Sequence, residues 1–258
     1  MEKIKAKKSL GQNFLIDQEA LSDIADAITI SGKNIIEVGP GYGALTDYII
    51  ERKPLSLELV ELDSDMIHIL EWRYGESELT IHHTDILQFI PKHKKYSVIA
   101  NIPYYITSPI LFHFLYDIQN QPDDMVIMMQ KEVGEKILEG RKEKKPHHSF
   151  LSLCMEYACE DIKIIRYVDR SSFDPKPKVD SIVLGFSRKK NRDLQQEKQL
   201  IYLWKVAFAH PRKTLLSNLK WSTYNTDNIR NIIIELWYDE RVRAEAIDKN
   251  DWIFLLQN

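Results

Sequence analysis

Cysteine is scarce in this chain: Cys154 and Cys159 are the only two in 258 residues. Their spacing matches neither a metal knuckle nor a redox Cys-x-x-Cys, which excludes a disulfide scaffold and leaves two reduced core thiols, as expected of a cytoplasmic protein. Long apolar runs are missing as well. No stretch of about 20 apolar residues occurs, and the basic segment 1–8 is not followed by an apolar one, so neither a membrane span nor an export signal is expected. A surplus of positive charge is also lacking. Against 38 Asp and Glu stand 35 Lys and Arg, a net charge of −3, so bulk charge does not announce a nucleic-acid binder. Without a heptad repeat or a leftover apolar stripe, a monomer with no membrane partner is expected.

Positive charge is instead clustered, at Lys3, Lys5, Lys7 and Lys8, at 141–145 (RKEKK), at Lys176 and Lys178, at 188–192 (RKKNR), and at Arg212 and Lys213. Any one cluster reads as a solvated loop, whereas several on one face would bind phosphates.

The first 130 residues alternate short apolar runs with amphipathic stretches. Strands are predicted at 34–38, 55–62, 78–82, 96–100 and 124–130, with helices at 45–51, 64–72 and 108–118. Such alternation predicts an α/β protein with a doubly wound parallel sheet. The rhythm then changes. Helical patterns at 131–138 and 150–157 precede two β-rich runs, 162–168 and 181–186, whose Pro-rich connection suggests an antiparallel hairpin at the sheet edge. Beyond the RKKNR linker the pattern is helical at 195–208, 213–220, 228–236 and 248–255, which marks a small all-helical C-terminal domain. The predicted domains are therefore 1–187 and 188–258.

After the first of those strands comes Glu37-Val38-Gly39-Pro40-Gly41-Tyr42-Gly43-Ala44, a glycine turn opening a helix. Gly39 and Gly41 let backbone approach a ligand closely, and Glu61, at the end of the next strand, can accept both hydroxyls of a ribose. A nicotinamide site and an S-adenosylmethionine site share these features. Pro40 stiffens the turn, and Glu37 would repel a pyrophosphate while suiting a cationic sulfonium, so the methyl donor is favoured. Past the third strand, Asp85 can accept from an adenine amine with the Ile86 N–H serving ring N1, although an Asp there also reads as a helix cap. His82 and His83 lack acidic or cysteine partners at metal spacing and read as surface residues; no metal is expected.

The most specific signal is Asn101-Ile102-Pro103-Tyr104 after the fourth strand. The Asn101 side-chain oxygen and the Ile102 carbonyl can accept the two hydrogens of an exocyclic base amine, whose lone pair is otherwise delocalised into the ring. Tyr104 offers a face on which a flipped-out base can stack, an interaction worth about 1–3 kcal/mol.

These segments, together with KSLGQNFL at 8–15, EVGPGYGALT at 37–46, NIPYYITSP at 101–109, QKEVGEKI at 130–137, FDPKPKVDS at 173–181 and RKTLLSNL at 212–219, resemble the small-subunit ribosomal RNA adenine dimethyltransferase family over residues 8 to about 220. The resemblance implies a Rossmann-like methyltransferase sheet, and transfer of methyl groups from S-adenosylmethionine to N6 of two adjacent adenosines near the 3′ end of small-subunit rRNA. S-Adenosylhomocysteine would be the product, and the small ribosomal subunit the partner. It further implies that Gln12, Asn13 and Leu15 close over the methionine part of the donor, that Gly39 and Gly41 face it, and that Glu61 holds its ribose and Asp85, with Ile86, its adenine. Asn101 and Tyr104 would position the target base, with Phe173 on its other side, and Lys176, Lys178, Arg212 and Lys213 would meet RNA phosphates; 1–187 would be the methyltransferase domain and 188–258 a helical domain that binds RNA or the subunit. Two departures stand out. Members commonly carry Tyr-Gly-x-Leu-Ser-Val where this chain has His148-Ser149-Phe150, and paired arginines where it has Pro211 before Arg212. The alternatives are a large-subunit dimethyltransferase of the macrolide-resistance type, against which Pro40, Leu45 and Thr46 argue, and a mainly non-catalytic subunit assembly factor. A nicotinamide oxidoreductase leaves Asn101 to Tyr104 unexplained.

Overall fold

The computed structural model describes residues 7, 10–140 and 147–257. Lys3, Lys5, Lys8 and the basic cluster 141–145 lie outside them. A short strand β1 (Phe14–Leu15) leads into helix α1 (Gln18–Asp26). The Asp17 carboxylate caps α1 by accepting the Ala20 N–H at 3.0 Å, and Ala20, Leu21, Ile24 and Ala25 form its buried face. Neither element is predicted by the sequence pattern. The next elements alternate as expected: β2 (Asn34–Val38), α2 (Ala44–Glu51), β3 (Ser56–Glu61), α3 (Ser64–Tyr74), β4 (Thr80–His83) and β5 (Ser97–Asn101).

Helix α4 (Thr107–Phe112) gives way to a π-helical turn over His113–Asp117, where the sequence predicts one continuous helix. Buried His113 donates from Nε2 to the Phe89 carbonyl at 3.0 Å at the start of that turn. Then follow β6 (Asp124–Gln130), α5 (Lys131–Glu139), α6 (Phe150–Ala158), β7 (Cys159–Val168), β8 (Phe173–Asp174) and β9 (Ser181–Arg188). The remaining helices are α7 (Leu194–Ala207), α8 (Leu215–Leu219), α9 (Thr226–Glu235) and α10 (Lys249–Gln257).

The main sheet has the order β4-β3-β2-β5-β6-β9-β7. β2 through β6 are parallel, and β9 runs antiparallel to β6 with Met128 opposite Val183. Ile35, Ile36, Leu59, Val98, Ile99 and Val126 are all buried, because helices cover both faces of such a sheet and alternation gives way to continuous apolar runs. The winding reverses between β2 and β5, which pair side by side with Val38 opposite Ala100. That switch point is where a doubly wound sheet opens a crevice at its strand carboxyl ends. A second, two-stranded sheet pairs β1 with β8 antiparallel, Leu15 opposite Phe173.

The chain divides into two compact units. One comprises Met1–Gly134 with Asp161–Arg188; the other takes in Glu135–Glu160 as well as Lys189–Asn258. Residues 135–160, which the linear reading assigns to the first domain, thus join the helical unit. Its core is built on Trp204 and Trp252, both at most 2% exposed, with Leu200, Leu203, Leu215, Leu219 and Ile233 around them. The unusual His148-Ser149-Phe150 segment makes a sound helix start. Ser149 and Ser152 form a reciprocal capping box on α6, and the His148 N–H donates to the Glu245 carbonyl at 2.9 Å.

Candidate active site

The glycine turn follows β2, and Gly39 and Gly41 take φ of 66° and 57°, in the left-handed region that favours glycine. A Cβ at Gly41 would stand 3.0 Å from the Phe14 ring, so a side chain here would both strain the turn and collide with the segment above it. Phe14 in turn packs on Tyr42, ring centroids 4.3 Å apart. The segment bearing Phe14 is anchored from below. Gln12 Nε2 donates to Asp63 Oδ2 at 2.7 Å while its Oε1 accepts the Lys7 N–H at 2.8 Å, and Lys7 Nζ reaches Asp63 at 2.5 Å and Asp65 at 2.7 Å. Burial raises the Asp63 pKa, but hydrogen bonds from Lys7 and Gln12 outweigh it and hold the carboxyl below its ordinary value. Sequence reasoning missed this network, since Asp63 two residues beyond Glu61 reads simply as the cap of α3, a role it also fills.

At the end of β3, the Glu61 carboxylate accepts the N–H groups of Leu62 (2.8 Å), Asp63 (2.9 Å) and Gly41 (3.2 Å). Burial nevertheless pushes its pKa up. Glu37, 1% exposed, accepts the Thr46 hydroxyl at 2.7 Å; burial, with Asp47 and Glu61 nearby, pushes its pKa up to about 8. Asp85 is the cap it could be read as, accepting the Leu87 N–H at 3.0 Å through Oδ1, and it lines the same cavity as the glycine turn.

Asn101 ends β5, and no described residue bonds to its carboxamide. Tyr104 follows Pro103 in a tight helical turn, its hydroxyl 2.7 Å from Oγ of fully buried Ser181, which fixes the ring from the first residue of β9. Burial raises the Tyr104 pKa, so the hydroxyl stays neutral. Phe173 is 4% exposed and packs in a core cluster with Leu15, Leu21 and Val168, yet one of its surfaces faces the cavity. A single cavity of about 280 Å³ therefore brings together Gln12, Asn13, Leu15, Gly39, Gly41, Glu61, Asp85, Ile86, Asn101, Tyr104 and Phe173. Lys176 and Lys178 are exposed on the loop between β8 and β9, while Arg212 and Lys213, also exposed, belong to the helical unit.

The structure corrects one reading of the histidines. His82 has an acidic partner after all: parallel pairing of β3 and β4 brings its Nε2 to 2.7 Å from Oε2 of buried Glu58, whose other oxygen lies 3.4 Å from His93. A contact across two strands leaves no trace in sequence spacing. Among the described residues no group of three His, Cys, Asp or Glu side chains is placed to hold a metal ion. The RKKNR cluster is largely occupied within the protein. Arg188 Nε donates to the Pro122 carbonyl at 2.7 Å, Lys189 to that of Glu156 at 3.1 Å, and Arg192 forms a buried ion pair with Glu197 at 2.5 Å.

A doubly wound sheet with a glycine turn, an acid at the next strand end and Asn-x-Pro-Tyr at the switch point defines a Rossmann-like methyltransferase fold. The chain belongs to the ribosomal RNA adenine dimethylase family, whose model matches residues 3–253. It is 39% identical over 253 residues to the ribosomal RNA small subunit methyltransferase A of Mycoplasmopsis pulmonis, covering 98% of each chain. To the protein of the same name from Mesomycoplasma hyopneumoniae strain 232 it is 36% identical, covering 99% of this chain and 96% of the relative. Among solved structures, a dimethyladenosine transferase from Plasmodium falciparum superposes with a TM-score of 0.78 at 25% identity, covering 95% and 96% of the two chains. The 23S rRNA methyltransferase ErmE superposes at 0.72 with 20% identity, covering 95% and 98%, a likeness of fold.

Proposed function

We propose that the protein is an S-adenosylmethionine-dependent enzyme that dimethylates N6 of two adjacent adenosines near the 3′ end of small-subunit rRNA during subunit assembly in the cytoplasm. The observation that carries the reading is the meeting, in one cavity, of the glycine turn and Glu61 with Asn101 and Tyr104. The residues present suit such a donor. Glu37 and Glu61 line the cavity: Glu37, which burial leaves protonated up to about pH 8, can give up its proton beside a sulfonium but not beside a pyrophosphate, and Glu61 Oε2 already accepts a hydrogen bond as it would from a ribose hydroxyl. Leu15 and Asn13 would cover the methionine part, held by the strap that Gln12 ties to Asp63. Asp85 and the Ile86 N–H would take the adenine.

The donor supplies a methyl on positively charged sulfur and leaves as a neutral thioether, S-adenosylhomocysteine. The chain's task is to present a poor nucleophile. Asn101 Oδ1 and the Ile102 carbonyl accept the two N6 hydrogens, which favours a more tetrahedral nitrogen with its lone pair aimed at the methyl carbon. Tyr104, fixed by Ser181, stacks on the base, with Phe173 on the other side. As the N–C bond forms and the C–S bond breaks, one N6 proton is released to water, and repetition gives the dimethyl product. Lys176, Lys178, Arg212 and Lys213 would meet RNA phosphates.

The test is transfer of labelled methyl from S-adenosylmethionine to purified small subunits lacking the modification, with large subunits in parallel, followed by nucleoside analysis. Dimethyladenosine on the small subunit alone is expected. Label on the large subunit would instead support the resistance-type reading, and subunit binding without label an assembly factor.

A further inference from the structure

In an acidic protein, the stretch from Lys198 to Thr226 contains no carboxylate, yet it carries Lys198, Lys205, Arg212, Lys213 and Lys220. Lys198, Tyr202 and Lys205 are exposed and fall on one face of α7, four and seven residues apart. Among the described residues no acid pairs with either lysine. The Tyr202 ring packs against Tyr224 at 6.0 Å between centroids, which ties the turn after α8 to this face. At the tip of that turn stands Trp221, 89% exposed, with Lys220 Nζ 5.3 Å from its ring centroid. The turn is firmly built. Ser222 Oγ donates to the Leu219 carbonyl at 2.7 Å and accepts the Tyr224 N–H at 3.2 Å. An indole left in water on a hydrogen-bonded turn, with Lys220 over its ring, is a stacking platform for a nucleobase.

We propose that this face of the helical unit binds single-stranded or looped rRNA, a base stacking on Trp221 while Lys198, Lys205 and Lys220 meet phosphates. The proposal rests on the rRNA-methylating reading and deepens it by assigning a base-stacking contact on the helical unit, beyond the phosphate contacts at Arg212 and Lys213. Trp237 supplies the contrast. It is 96% exposed too, but it stands beside Asp239 and Glu240, with Glu240 paired to Arg230 at 3.4 Å, and no cation lies over its ring among the described residues.

The full-length protein is titrated with deproteinised small-subunit rRNA and with unmethylated small subunits, and methyl transfer is measured at saturating subunit. Loss of one stacked base corresponds to about 5- to 150-fold in affinity, so Trp221→Ala should weaken both complexes by that factor. Trp221→Phe should keep most of the affinity, Trp237→Ala all of it, and Lys198→Glu with Lys205→Glu should flatten the salt dependence. Unchanged affinity in Trp221→Ala, or an equal loss in Trp237→Ala, overturns the proposal. So does a loss confined to intact subunits, which would make the partner a ribosomal protein. If the unaltered protein methylates no small subunit, it is the functional reading that fails; if it does and Trp221→Ala binds normally, only this inference does.

Discussion

A carboxyl group buried beside a glycine turn has a consequence that reaches the bench. Glu37 holds its proton up to about pH 8 in the folded protein, because burial raises its pKa more than the Thr46 hydrogen bond lowers it. An unfolded chain gives that proton up near pH 4.5. Between those values the folded state binds more protons, so stability falls as pH rises, by about 1.4 kcal/mol per pH unit for one group. Glu61, its pKa also raised by burial, acts in the same direction. Denaturation at pH 5, 6, 7 and 8 should show the slope, and Glu37→Gln should remove the larger part of it. A cationic donor reverses the balance. Binding of S-adenosylmethionine should expel the Glu37 proton, read by calorimetry as a binding heat that depends on the ionisation enthalpy of the buffer, a dependence lost in Glu37→Gln. The residue type and its place beside the turn are legible in the sequence; the proton is not, because it depends on burial and on Asp47 and Glu61 folded around it. Trp237 is a second case. It occupies the left-handed position (φ 64°) after α9, where Tyr238 N–H returns to the Ile233 carbonyl, and it is 96% exposed. Trp237→Gly should therefore stabilise the protein by about 1 kcal/mol, visible as a small rise in melting temperature, whereas Trp237→Ala should give little.

Helix α5 meets strand β9 at a residue that cannot grow. A Cβ on Gly134 would stand 2.3 Å from Ile182 Cγ2, and Ile182 is fully buried. Helix propensity alone favours alanine over glycine by about 1 kcal/mol, but overpacking a filled core costs about 1–3 kcal/mol, so packing decides the sign. Gly134→Ala should destabilise the protein, and the penalty should vanish when Ile182→Ala opens the space, which a double-mutant cycle by denaturant titration measures. The sequence shows a glycine in a helical pattern but not what faces it. Legibility across the elements follows the same physics. Strands β2, β3, β5 and β6 stand within two residues of their predicted ends because a strand buried on both faces is an unbroken apolar run. β1 and β8 have two residues each, too few for any periodicity, yet they join Leu15 to Phe173, so two site residues far apart in sequence are brought together by an element that the sequence hides.

Over the whole molecule, the linear pattern conveys the order of the elements but not how the chain distributes them, since residues 135–160 leave the sheet for the helical unit and return as β7. Charge behaves likewise: of the basic clusters visible in the sequence, RKKNR is drawn into hydrogen bonds and a buried ion pair, while Lys176 and Lys178 remain exposed. The loop carrying these two lysines is held by its ends. The Arg170 N–H donates to Asp180 Oδ1 at 3.2 Å, the Lys131 N–H to the Asp180 carbonyl at 3.0 Å, and Pro177 is buried between the two exposed side chains. Each phosphate that a cation neutralises releases condensed counterions, so its contribution appears in the slope of binding against salt, at about 0.7–0.9 per contact, more specifically than in affinity at one salt concentration. Lys176→Glu with Lys178→Glu should therefore lower the slope for small-subunit binding by about 1.5 or more and weaken binding most at low salt. Donor affinity, set by the cavity residues, should stay as it was. An unaltered slope would assign these lysines to the solvated surface, and a parallel loss of donor binding would mean that the substitutions had disturbed the β8 segment, where Phe173 pairs with Leu15, rather than an RNA contact.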